Sequence, residues 1–183
     1  MKMQDACFLT IPGWMGSTEQ HWQSQWEHIH GMSRVEQDNW IRPLRGDWVA
    51  RLEDVVLEQT KPCVLVAHSL GCILVASWAF YSLNTHKVKA AFMVAPADVE
   101  NELLKSSIHG WSNVALQKLP FRSKVIASKD DPFCNFEKSR LLAEAWGAEL
   151  VDAGYLGHIN ADSGVGGWEQ GFQILQKFIT DKE

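Results

Sequence analysis

Cysteine is scarce in this sequence and poorly spaced. The 183 residues contain four, at positions 7, 63, 72 and 134, separated by 56, 9 and 62 residues. No CxxC pair and no zinc-finger spacing results. Cys7 and Cys63 lie in apolar runs, where a free thiol behaves as a small buried hydrophobe. Reduced thiols in a cytoplasmic protein are therefore expected. Basic residues are also in deficit, 17 Lys and Arg against 22 Asp and Glu, for a net charge of −5. Phosphate-backbone binding needs the opposite balance, so nucleic acid is not an expected partner. No apolar run approaches the roughly 18 residues of a membrane span, so no membrane association is expected. The N-terminus has no basic start leading into a long apolar stretch, and it does not read as a secretion signal.

What is present is enough apolar mass for a packed core: 46% of residues are hydrophobic and 21% charged. One α/β domain over residues 1–183 is expected. Short, β-branched runs at residues 6–11, 63–67, 88–95, 125–128 and 149–152 read as strands, with a weaker one at 34–37. The run at 6–11 is continuous rather than alternating, as in a strand buried on both faces. Helical patterns fall between them, at 18–30, 47–60, 70–83, 136–146 and 168–179. Ser17 with Gln20 predicts a capping box for the first, and Asp47 a cap for the second. Six mostly parallel strands interleaved with about five helices make a three-layer sandwich. Residues 96–122 break the pattern with about 25 irregular positions and a short helix near 99–106. A segment that long in a compact domain is more often functional than idle.

Chemistry in such a sheet is sought at the carboxyl ends of the strands. After the most apolar strand come Ala67-His68-Ser69-Leu70-Gly71 and then directly a helix. This is the nucleophile-elbow arrangement, with alanine in place of the first glycine. The turn needs small residues two positions either side of the serine, because strand and helix backbones nearly touch there. It projects the serine hydroxyl and aims a helix N-terminus at it, where backbone N–H groups stabilise an oxyanion. The bland alternative is a serine acting as an ordinary cap. Downstream, one strand releases Lys129-Asp130-Asp131-Pro132, and the last strand releases Gly154-Tyr155-Leu156-Gly157-His158. The order Ser, Asp, His is that of a hydrolase triad. Ser69 is then the nucleophile, His158 the general base and acid, and an aspartate the partner of the imidazolium. Asp131 is favoured because Pro132 biases it toward an extended conformation. Asp130 and Asp98 stay open as alternatives, each with an ordinary turn role to set against it.

The glycine-bearing turn Pro12-Gly13-Trp14-Met15-Gly16 follows the first strand. Its N–H near Trp14, with that of Leu70, is expected to form the oxyanion hole. His28 and His30, two apart on a helix, make a poor metal pair. His21, His86 and His109 lack ligand partners at metal spacing, and all five are expected at the surface. His68 is expected to turn away from the elbow in a structural role. Of nine tryptophans, Trp22 and Trp26 read as core, whereas Trp14, Trp111 and Trp48 are candidates for a pocket wall.

At these residues the sequence resembles the small serine hydrolases related to retinoblastoma-binding protein 9, in the α/β-hydrolase superfamily. The matching pieces are Ile11-Pro-Gly-Trp14, Ala67-His-Ser-Leu-Gly71, Val94-Ala-Pro-Ala-Asp98, Leu119-Pro-Phe121, Ser128-Lys-Asp-Asp-Pro-Phe133 and Gly157-His-Ile-Asn-Ala161. The resemblance implies Ser69, Asp131 and His158 as the triad. It also implies a core without a large cap domain, and hydrolysis of small esters or of amide and peptide bonds. No metal or organic cofactor is implied. A small-molecule ester substrate is the leading expectation; amide cleavage and a non-catalytic interaction module are its rivals. No Leu-x-Cys-x-Glu motif is present, so no protein partner is carried over.

Overall fold

The computed structural model describes residues 3–181. Six parallel strands form one sheet: β1 (Cys7–Ile11), β2 (Ser33–Arg34), β3 (Cys63–His68), β4 (Val88–Val94), β5 (Arg122–Ala127) and β6 (Glu149–Asp152). Their spatial order is β2-β1-β3-β4-β5-β6. The helices are α1 (Trp22–His30), α2 (Arg45–Glu58), α3 (Leu70–Tyr81), α4 (Glu102–Lys105), α5 (Phe136–Trp146) and α6 (Glu169–Thr180).

Alternate residues of each strand supply opposite layers, as the pleat requires. On β3, Cys63, Leu65 and Ala67 pack with α2, α3 and α5. Val64 and Val66 pack with Trp22 and Trp26 of α1 and with Phe172 and Leu175 of α6. All six β3 residues are buried, which is why the segment reads as a continuous apolar run rather than an alternating one. The chain leaves β1 outward to β2 and returns on the other side as β3. Strand order therefore reverses between β1 and β3, and their carboxyl ends open a crevice.

Several boundaries depart from the sequence expectations. The first helix begins at Trp22, not 18, and its cap is His21, whose Nδ1 accepts the Gln23 N–H. Ser17 does not form the capping box; its hydroxyl donates to Gln23 Oε1 at 2.8 Å. α2 begins at Arg45 after Leu44, with no side-chain cap, so Asp47 lies in the first turn. There its charge complements the helix dipole. β2 is two residues long and stops before Gln37. β5 begins at Arg122, three residues before the apolar run, and its two charged residues are held in place: Arg122 donates to Phe178 O and Asp181 O, and Lys124 to Glu149. Within residues 96–122 the expected short helix is α4, one turn capped by Asn101.

Candidate active site

Ser69 sits between the last residue of β3 and the first of α3, at φ 55° and ψ −122°. This is a strained backbone for a residue with a Cβ, of order 1–3 kcal/mol, and it persists only where the surroundings over-determine it. Ser69 N–H donates to Val94 O on β4, and Ser69 O accepts from Cys72 N in the first turn of α3, both at 3.0 Å. The turn's tightness shows at Gly71. A Cβ there would lie 2.2 Å from Ile11 O and 2.9 Å from Pro12 O. Gly13 presses on the elbow from the other side, its notional Cβ 2.8 Å from Ser69 Cβ and 3.1 Å from Leu70 N. The turn after β1 and the start of α3 are thus in backbone contact. Among the described residues, neither Trp14 N–H nor Leu70 N–H donates to a backbone acceptor.

The serine, histidine and aspartate singled out from the sequence come together. Ser69 Oγ lies 2.9 Å from His158 Nε2. His158 Nδ1 lies 2.9 and 2.8 Å from the two oxygens of Asp131. Since a carboxylate only accepts, Nδ1 carries the proton, and Nε2 is the lone pair that receives the serine hydroxyl. Asp131 Oδ1 also accepts Phe133 N–H at 2.9 Å, which fixes the carboxylate's orientation. All three side chains are buried.

The two alternative aspartates point elsewhere. Asp98 Oδ1 accepts the Glu100 N–H at 3.2 Å and lies 3.9 Å from Lys138 Nζ. Asp130 Oδ1 accepts the Ser128 hydroxyl at 2.7 Å and the Gly157 N–H at 2.8 Å. These two donors hold its carboxyl below the usual range.

A cavity of about 310 Å³ opens beside Ser69 and His158. Leu70, Ala97, Leu104, Ile108 and Phe133 make its apolar wall, and Thr18, His21, His68, Asn160 and Asp162 its polar one. The irregular segment at 96–122 thus contributes three wall residues. Two larger depressions, of about 550 and 870 Å³, lie at the amino ends of the strands, lined by residues such as Cys7 and Lys61 or Lys89 and Arg122. Cys7 and His30 both line the first, but no hydrogen bond joins them among the described residues.

Of the three tryptophans considered for the wall, only Trp14 lines the cavity. Trp48 and Trp111 pack edge to face, 5.4 Å apart, in the core. Their indole N–H groups are satisfied by Asn39 O and Pro43 O. His21 is not at the surface as expected; it is buried. His68 does have a structural bond, donating from Nε2 to His158 O at 2.9 Å, yet its ring also borders the cavity. Sequence reasoning missed His21 because imidazole is not among the usual cap side chains. Its position directly before the apolar Trp22 was the available signal.

The family model for serine hydrolases matches residues 8–177. Among solved structures, a YdeN-like hydrolase from Pectobacterium atrosepticum aligns with a TM-score of 0.83 and 30% identity, covering 96% of this chain and 91% of that one. The ydeN gene product of B. subtilis aligns at 0.76 and 20% identity, covering 97% and 100%. Esterase 2 of Thermogutta terrifontis aligns at 0.66 and 18%, covering 96% and 82%. The last two similarities speak to the fold alone. No curated protein matches the sequence.

Proposed function

The chain belongs to the serine hydrolase family, and we propose that it cleaves small carboxylic esters through an acyl-enzyme formed on Ser69. The observation that carries this reading is the unbroken line of contacts from Ser69 Oγ through His158 to Asp131. It joins the ends of three different strands beside one half-apolar cavity.

In the proposed reaction the substrate carbonyl lies against Ser69. His158 Nε2 takes the hydroxyl proton as Oγ attacks, and Asp131 stabilises the imidazolium and holds its tautomer. The oxyanion is received by the N–H groups of Trp14 and Leu70. The second of these opens α3, so the helix dipole favours the same charge. The tetrahedral intermediate collapses as Nε2–H protonates the leaving alkoxide. Water, deprotonated by Nε2, then attacks the acyl carbon, and the second tetrahedral intermediate collapses with cleavage of the bond to Oγ as Nε2–H returns a proton to Ser69, releasing the carboxylic acid. The cavity volume suits a short acyl chain, which would sit against Leu104, Ile108 and Phe133.

The test is reaction with a fluorophosphonate probe and hydrolysis of p-nitrophenyl butyrate, wild type against Ser69→Ala. Labelling that maps to Ser69 and vanishes in the variant, together with ester turnover, is the expected result. A folded wild type that neither labels nor turns over would exclude the reading.

A further inference from the structure

The turn after β1 holds a conformation that one of its own residues resists. Met15 and Gly16 follow one another at φ 70° and 74°. Gly16 N–H bonds Gly13 O at 3.0 Å, closing a four-residue turn whose third position, Met15, ordinarily belongs to glycine. Glycine enters the left-handed region freely, whereas a side chain persists there only where its surroundings over-determine it. Met15 is 59% exposed, so burial of its own side chain does not offset the strain.

The added hold comes from the segment between β2 and α2. Met15 N–H donates to Trp40 O at 3.0 Å, and Trp14 Nε1–H donates to Ile41 O at 2.9 Å. The Trp40 indole lies against Gly16, where a Cβ would meet Cδ2 at 3.4 Å and Cγ at 3.6 Å. Trp40 therefore grips the turn through its carbonyl and covers it with its ring. That ring is anchored in turn, edge to face against buried Trp48 with centroids 5.4 Å apart. Asn39 shapes the same segment. Its Oδ1 accepts the N–H groups of Ile41 at 3.0 Å and Arg42 at 2.8 Å, and its backbone oxygen accepts Trp48 Nε1–H at 3.2 Å.

This arrangement decides which amide of the turn is left over. Met15 N–H is consumed by Trp40 O, whereas Trp14 N–H has no hydrogen-bond partner among the described residues. The residue before it, Gly13, abuts the elbow, with its notional Cβ 3.1 Å from Leu70 N. A donor unpaired in the resting protein can receive an oxyanion without first breaking a bond, and its worth depends on being held in place beforehand.

We propose that Trp40 is the positioning residue of the oxyanion hole: by holding Met15 in its left-handed conformation, it leaves Trp14 N–H unpaired and fixed next to the elbow. This rests on the ester-hydrolase reading above, in which Trp14 N–H receives the oxyanion. Asn39 supports Trp40 by fixing the turn that carries its carbonyl. Neither Trp40 nor Asn39 lines the cavity, so their loss acts on the transition state and spares substrate binding.

The test is steady-state hydrolysis of p-nitrophenyl butyrate by wild type, Trp40→Ala, Trp40→Phe, Asn39→Ala and Asn39→Asp. Outright loss of an oxyanion donor lowers kcat about 10²–10³-fold, so a displaced donor in Trp40→Ala is expected to cost at least about tenfold, with KM within about twofold. Trp40→Phe, which keeps a ring against Gly16, should recover most of the loss. Asn39 is exposed, so its variants remain folded even where Trp40→Ala does not. Asn39→Ala should lower kcat about threefold and Asn39→Asp, which keeps the acceptor, should restore it. Propyl trifluoromethyl ketone supplies a second reading, because it adds to Ser69 as a hemiketal whose oxyanion occupies the hole. Its Ki should rise in step with the fall in kcat/KM, while the acid limb of the pH–rate profile, set by His158, stays in place. Folded Trp40→Ala or Asn39→Ala with wild-type kcat overturns the proposal. So does a loss carried by KM, or a fall in kcat that leaves the ketone's Ki unchanged. Wild type is also treated with a fluorophosphonate. Active, labelled wild type whose variants keep kcat sinks the positioning role alone, whereas absence of both labelling and hydrolysis sinks the hydrolase reading with it.

Discussion

The carboxylate of Asp130 accepts the backbone N–H of Gly157 at 2.8 Å, tying the loop that carries Asp131 to the loop that carries His158. Ser128 reinforces the tie: its hydroxyl donates to Asp130 and accepts the Leu156 N–H at 2.8 Å. Lys129 N–H adds a bond to Gly154 O at 2.7 Å. The aspartate beside the triad candidate thus holds the Asp131 to His158 distance without touching the imidazole. Asp130→Ala should lower kcat about tenfold with little change in KM, because misplacement of a reacting group acts on the rate. Asp130→Asn, which keeps an oxygen for Gly157, should recover most of it. Steady-state kinetics of the three proteins decides; equal loss in both variants would point to the charge rather than the acceptor.

Asp131→Asn should be far more damaging. An amide in that position cannot stabilise the imidazolium and favours the wrong tautomer, a change worth about 10⁴ in kcat for such triads. Asp98→Asn should stay within about twofold of wild type, since that side chain serves the Glu100 turn. Pre-steady-state acylation by p-nitrophenyl butyrate measures both. A crippled Asp98→Asn beside an active Asp131→Asn would reverse the assignment.

The part of this site written into local sequence was readable, and the part made by tertiary approach was not. Ser69 and Gly71 announce a tight strand-to-helix turn within five residues, because backbone contact with Ile11 and Pro12 leaves no room for a side chain. His158 could be placed because a glycine-flanked histidine follows the last strand. The choice among three aspartates needed coordinates in principle, although Pro132 biases it toward Asp131, the residue that stands against His158. His21 was misplaced for a physical reason. A polar residue at a helix start is ordinarily solvated, whereas this one is buried, with the rings of His68 and Trp22 packed against it. Trp48 and Trp111 were misjudged in the reverse direction. Their segments run near the carboxyl end of the sheet, but the rings find partners in each other rather than in the cavity.

The two buried histidines should make the fold acid-labile before carboxylates begin to protonate. The folded-state value for His21 is about 3 against an ordinary 6.5, so between those limits the unfolded chain binds a proton that the folded chain refuses. The stability linked to this group is complete above about pH 6.5 and is lost as pH falls toward 3, at up to roughly 1.4 kcal/mol per pH unit. His68, lowered for the same reason, adds in the same direction. Urea unfolding at pH 7, 6 and 5 should show a falling free energy, with a shallower slope in His21→Asn. Slopes that coincide would mean His21 is protonated in the folded state.

Gly71→Ala should be the most destructive of the small substitutions near the site. The added methyl meets Ile11 O at 2.2 Å and Pro12 O at 2.9 Å. Both obstacles are backbone atoms of a central strand and the turn that follows it, and neither can swing aside as a side-chain end would. Relief requires α3 to move away from β1, and α3 is buried along its whole first two turns. Overpacking of this kind costs about 3 kcal/mol or more. A drop in Tm of at least about 5 °C, or failure to accumulate as folded protein, is expected for a chain of this size. Gly13→Ala meets Ser69 Cβ at 2.8 Å and the backbone atoms His68 O and Leu70 N at 3.1 Å, so it presses on the elbow itself and should displace Ser69 as well as lower the stability of the fold. Thermal melts set beside fluorophosphonate labelling rates separate the two effects. A Gly71→Ala protein with wild-type Tm would show that strand and helix can part here, and the elbow would lose its claim to be held rigid by backbone contact.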